Sequence, residues 1–228
     1  MSAERVFSLV NVRSASDDLT ARARIRDAAI ARWGREGFRA GMRAIAADAG
    51  VSAPLVVHHF GSKDALRAAC DEHVLHRIFE EKSAAVAGTP PTDVVAKLAM
   101  LEEYAPLFAY VVRSLLDGGS LAARFVDGMV EDAEKYLEDG VAAGTIRPSR
   151  DPHGRARALI ATTVGTIVMA QTDAAAGRGP APTEDPTAAM RAMYDNVMVG
   201  SLELYTHGLF TDSSYLDAYL AYEENPHE

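Results

Sequence analysis

Residues 42–49 and 53–60 are two apolar-faced segments separated only by Gly50-Val51-Ser52. Each is shorter than the roughly 12–15 residues an isolated helix needs in water. They can be ordered only by packing on one another and on a neighbour. Local chemistry marks their ends. Gly50 can take the left-handed turn that other residues avoid, Ser52 is placed to cap the second segment, and Pro54 falls in its first turn, where a missing N–H costs nothing. Phe60-Gly61 ends that segment, and Ser62 is placed to cap a longer helix over 63–85. Burying Ile45, Ala46, Ala49, Val51, Val56 and Phe60 against a preceding helix leaves Ser52, Ala53, Pro54, Val57 and His58 facing solvent. Such a pair defines a helix-turn-helix unit, whose second helix lies in a DNA major groove in the known docking geometry.

The rest of the chain also reads as helix, with no alternating strand pattern. A first helix is expected over 20–36, with Thr20 as its N-cap, a face of Ile25, Ala28, Ala29 and Trp33, and Gly37 as its stop. Beyond the Gly-Thr-Pro-Pro break at 88–91, helices are expected over 92–117, 120–143, 153–175 and 187–207, with a short one near 213–223. Pro106 should kink or split the first of these near Tyr104. The expected fold is all-α. Residues 1–19 form an N-terminal extension, 20–67 a three-helix unit containing the helix-turn-helix, and 68–228 a larger helical unit joined to it by the fourth helix.

The net charge of −9 argues against a polyanionic partner until the chain is divided. Residues 1–67 carry 11 Lys/Arg against 7 Asp/Glu, and the other 161 residues carry 12 against 25. A basic head on an acidic body suits a nucleic-acid-facing end. The single cysteine, Cys70, fits a reducing compartment. No apolar run approaches the roughly 20 residues of a membrane helix, and Met1–Val12 lacks a signal-peptide pattern. A cytoplasmic, soluble protein without a membrane partner is expected. Among enzymes, no nucleophile elbow, phosphate loop or dinucleotide fingerprint appears. His58-His59 and His73-x-x-His76 do not form the His-Glu-x-x-His metal signature, so neither metal nor cofactor is expected.

Residues 22–67 resemble the DNA-binding domain of the tetracycline-repressor (TetR) family. The match runs in order through Ile25, Ala28-Ala29, Trp33, Gly37-Phe38, Arg43-Ala44-Ile45-Ala46, Ala49-Gly50-Val51-Ser52 and His59-Phe60-Gly61-Ser62-Lys63-Asp64-Ala65-Leu66. The resemblance implies a homodimer on double-stranded operator DNA, with a cavity for an unknown small-molecule effector in the C-terminal unit. It places Arg43 and Ser52 near phosphates at the front of the motif, His59 and Lys63 near phosphates behind it, and Ala53, Pro54 and His58 toward base edges. Two departures stand out: Val57 where the family commonly has Tyr, and Gly41 where it commonly has Thr or Ser. The recognition segment holds no Arg, Lys, Asn or Gln, so bidentate base readout is not available from it. Specificity is expected to rest on thymine-methyl contacts from Ala53 and Pro54, on His58, and on DNA shape.

Two further sites are expected. Met100, Tyr104, Leu107, Phe108, Val111, Phe125, Met129 and Tyr136 could line an apolar pocket with a few phenolic hydroxyls; the alternative is that they are simply core. Leu159, Ile160, Thr163, Val164 and Ile167, with Met190, Met193, Tyr194, Val197, Ser201 and Leu204, form stripes suited to a four-helix dimer interface containing Gly165 and Gly200. The alternative is that both stripes face their own subunit. A repressor is the expected function; an activator of the same fold, or a helical small-molecule-binding protein without DNA function, is the alternative.

Overall fold

The computed structural model describes residues 15–87 and 94–224, which form nine helices and no strand. The helices are α1 (Ala15–Glu36), α2 (Met42–Asp48), α3 (Ala53–Phe60), α4 (Lys63–Ala87), α5 (Val94–Asp117), α6 (Gly119–Ala142), α7 (Pro152–Ala175), α8 (Pro186–His207) and α9 (Ser214–Glu224). The expected break at 88–91, most of the N-terminal extension and the side chain of Met100 lie outside the described residues.

Boundaries follow local chemistry wherever that chemistry is strong. Asp151 and Asp185 cap α7 and α8 by accepting from the N–H groups of Gly154 and Ala188, at 2.8 and 3.0 Å, and a proline fills the first turn of each helix. Two expectations need correction. α1 begins at Ala15, so Thr20 sits inside the helix and does not cap it. α5 runs unbroken through Pro106, so the proline does not split the helix. The residue lies on the solvent side, where water can serve the carbonyl freed by its missing N–H.

One core cluster runs through the chain. It joins Ile25, Trp33, Ile45, Val56 and Phe60 of the head to Val74, Tyr110, Phe125, Met129 and Ile160 of the body. The most extensive helix pairings are α1 on α5, α6 on α7 and α4 on α6. The head is therefore held to the body twice, through the continuous α4 and through the α1–α5 seam. α7 is long and apolar enough to cross a membrane by length and composition. Its Ala156, Ile160 and Ile167 are buried on the rest of the protomer.

Candidate nucleic-acid interface and its coupling to the body

At the C-terminus of α2, Val51 N–H donates to Ala46 O at 2.9 Å and Gly50 N–H to Ala47 O at 3.2 Å, with Gly50 at φ 64°. This is the Schellman closure, which requires a left-handed residue at Gly50. It reverses the chain within two residues and sends α3 across α2. Ile45, Val56 and Phe60 are sealed beneath α3, while Ser52, Pro54, Val57 and His58 are exposed and Ala53 is half-buried. Ser52 occupies the N-cap of α3, but its hydroxyl makes no capping bond. Gly41 likewise leaves α2 without a side-chain cap. Ser62 does cap α4, accepting from Ala65 N–H at 3.1 Å.

The two cations expected at phosphates flank this face. Arg43 is exposed on α2 and Lys63 half-exposed at the start of α4, and neither is in an ion pair among the described residues. Arg32, by contrast, is occupied: it binds both Asp48 and Glu36, and its contact with Asp48 locks α1 to α2. That contact holds the Asp48 carboxyl below its usual range. His59 is half-buried with its Nε2 shut off from solvent. Only the other side of its ring could approach a phosphate. Arg22 was not singled out by sequence reasoning, yet it donates to His59 O at 2.9 Å and lies 4.7 Å from the Phe60 ring centroid. A cation on the last carbonyls of α3 complements the negative end of the helix. The contact spans 37 residues, so no local pattern announces it.

Between head and body lies a polar and aromatic seam. Gly34 of α1 sits against α5 so closely that an added Cβ would lie 3.0 Å from Ala109 Cβ and 3.1 Å from Tyr110 N. Arg113 of α5 donates to the carbonyls of Gly34 and Arg35 at 3.2 and 2.8 Å, capping the end of α1. Tyr110 donates to Asp71 of α4 at 2.6 Å, and its ring meets Phe38 edge-on at 5.4 Å. Arg67 stacks over Phe38 at 3.5 Å and pairs with Asp117 at 3.0 Å. Burial holds the Asp71 carboxyl above its usual range, and burial followed by Asp71 pushes the Tyr110 phenol up.

Cys70 is fully buried in the same seam, and burial pushes its thiol up. A thiol that stays protonated reacts slowly. Native protein should therefore leave Cys70 unlabelled by an aromatic disulfide reagent over minutes, with one thiol titrating on denaturation. Rapid labelling of the native chain would contradict this placement.

The residues expected to line a ligand pocket come together chiefly as core. Leu107, Val111, Phe125, Met129 and Tyr136 are buried in the common cluster, with Tyr104 and Phe108 half-buried beside it. Burial pushes Tyr136 up to about 12. A cleft of about 480 Å³ opens instead between α4 and α6, lined by Asp64, Ala68, Asp71, Leu75, Ser120, Leu121, Arg124 and Phe125. It shares only Phe125 with the expected set. Of the residues expected at a dimer interface, Ile160 and Ile167 are buried within the protomer. Leu159, Val164, Met190, Met193, Val197 and Ser201 are half-buried, and Thr163, Tyr194 and Leu204 are exposed.

An exposed short helix on a two-helix platform, flanked by two cations that are in no ion pair among the described residues and backed by a helical body, defines a helix-turn-helix DNA-binding regulator. Comparison with known proteins agrees. Residues 25–70 match the model of bacterial regulatory proteins of the tetR family, and residues 102–211 match a tetracyclin repressor-like C-terminal domain. The HTH-type transcriptional regulatory protein RaaS of Mycobacterium tuberculosis is 48% identical over 209 residues, covering 90% of this chain and 94% of that protein. Among solved structures, a TetR-family chain from Rhodococcus sp. aligns with a TM-score of 0.54 at 18% identity, over 81% of this chain and 97% of that one. A TetR transcriptional regulator from Chloroflexus aurantiacus aligns with a TM-score of 0.50 at 22% identity, over 80% and 96%. The chain belongs to the TetR family of DNA-binding transcriptional regulators, a family of regulators rather than of enzymes.

Proposed function

We propose that this regulator is a cytoplasmic homodimeric repressor, released from a palindromic operator when a small molecule binds its body. The observation that carries the DNA part is the α3 face: Ser52, Pro54, Val57 and His58 stand exposed over a sealed platform, with Arg43 and Lys63 on either side. Pairing through α7 and α8 is supported by their outer faces. Val168, Met169, Val199 and Leu202 are each more than half exposed, and Gly165 and Gly200 have open space before them. On α7, Thr162, Thr163, Thr166 and Thr172 each donate to the carbonyl four residues back, at 2.8–3.2 Å. Their hydroxyls are thus satisfied within the helix, and little polar capacity remains to resist burial.

The seam suggests how an effector acts. A ligand in the cleft between α4 and α6 would meet Asp71, which holds Tyr110, and would so bear on α5 and the end of α1 that Arg113 caps. It shifts the equilibrium only by binding the released state better. Footprinting of the chain's own upstream DNA tests the assembly. Two protected half-sites centred about 34–36 Å, one helical turn, or a multiple of that apart are expected. A single half-site footprint at saturation would contradict the paired arrangement.

A further inference from the structure

α9 carries an apolar stripe that its own protomer leaves uncovered. Tyr215, Leu216, Tyr219 and Tyr222 recur at helical spacing on one side and are 69%, 54%, 58% and 64% exposed. α9 packs on no other helix to any appreciable extent. Eleven residues are too few for a helix to persist in water unsupported. Yet its start is well organised: Ser214 N–H donates to Asp212 at 2.9 Å, Ser213 donates to Asp217 at 2.6 Å, and the Phe210 and Tyr215 rings stack at 4.6 Å. Leu209 and Phe210, 76% and 58% exposed, join this stripe to the uncovered outer face of α8.

We infer that α9 is an exchanged arm, which crosses to a second copy of the chain and lays its tyrosine and leucine stripe on that copy's outer α7–α8 face. The inference rests on the self-association proposed above. A second copy is the favoured occupant because the stripe is continuous with the face offered for pairing, and because of area. Thirteen of the sixteen exposed large apolar residues among the described ones fall between Val168 and Tyr222. At roughly 100 Å² each, they could bury on the order of 1,300 Å² per protomer, against about 800 Å² in a standard interface. Six of the thirteen belong to the arm and the turn before it, so the arm roughly doubles what α7 and α8 offer alone.

Two measurements on the full chain test this. With a photo-crosslinking phenylalanine in place of Tyr219, irradiation should yield covalent dimers; products confined to single chains would overturn the exchange. In hydrogen exchange, amides of 215–222 should be protected in the dimer and lose protection on dilution to monomer. The triple variant Tyr215→Asp, Tyr219→Asp, Tyr222→Asp should raise the dimer dissociation constant at least tenfold and leave protection of α6 unchanged. A stable wild-type dimer with unprotected α9, or α9 equally protected in the monomer, would overturn the arm and leave α7–α8 pairing standing. A chain that never dimerises would remove both.

Discussion

Trp33→Ala is expected to remove about 3–5 kcal/mol of folding stability, the range for truncating a buried large aromatic, out of the 5–15 kcal/mol typical of a domain. Trp33 is fully buried, its indole N–H donates to Ala40 O at 3.1 Å, and its ring lies 5.6 Å from Phe38, the residue that meets Tyr110 and Arg67. Truncation would leave a cavity beneath the turn that leads into α2 and would orphan the Ala40 carbonyl. Because the seam joins head to body, operator binding should fall with stability. Trp33 is the only tryptophan, so denaturation of the variant must be followed by far-ultraviolet circular dichroism. A loss below about 1 kcal/mol would mean that α1 and α5 are not packed as described.

The second large effect is electrostatic and leaves the fold alone. Arg43→Ala with Lys63→Ala removes two solvent-accessible cations that are in no ion pair among the described residues. In a dimer, four phosphate contacts disappear. At about 0.7 kcal/mol per hydrogen-bonded contact, binding should weaken roughly a hundredfold. The plot of log affinity against log salt should flatten by about 3–4 units, because each contact contributes about 0.9. The loss should be nearly uniform across sequences, since phosphate contacts carry no base information. Thermal unfolding should be unchanged. An unaltered salt slope would remove both residues from the phosphate set.

The segment from Gly41 to Lys63 was legible almost residue by residue. Gly50, Pro54, Gly61 and Ser62 each impose a backbone geometry that depends on near neighbours alone. The helices expected from 153 and 187 were legible to within a residue, but the Asp151 and Asp185 caps that open them were not read. The start of α1 was not legible, because a polar residue such as Thr20 suits a cap and a helix interior alike. Nor was the α1–α5 seam: Arg113 reaches Gly34 across 79 residues, and only the fold brings them together. The α7 stripe was correctly apolar, yet periodicity does not say which side turns inward. Ile160 and Ile167 face the protomer's own core, while Val168 and Met169 face out. The cleft between α4 and α6 was hidden for a similar reason, since its lining joins residues 64–75 to residues 120–125 and only the packing of α4 on α6 brings them together.

Equilibrium binding of the intact protein to a labelled duplex from its own upstream region, against a scrambled duplex of equal composition at one fixed salt concentration, bears most directly on α3 as a DNA-reading helix. A preference of at least about 10³-fold for the natural sequence is predicted. Equal affinity for the two duplexes would contradict it.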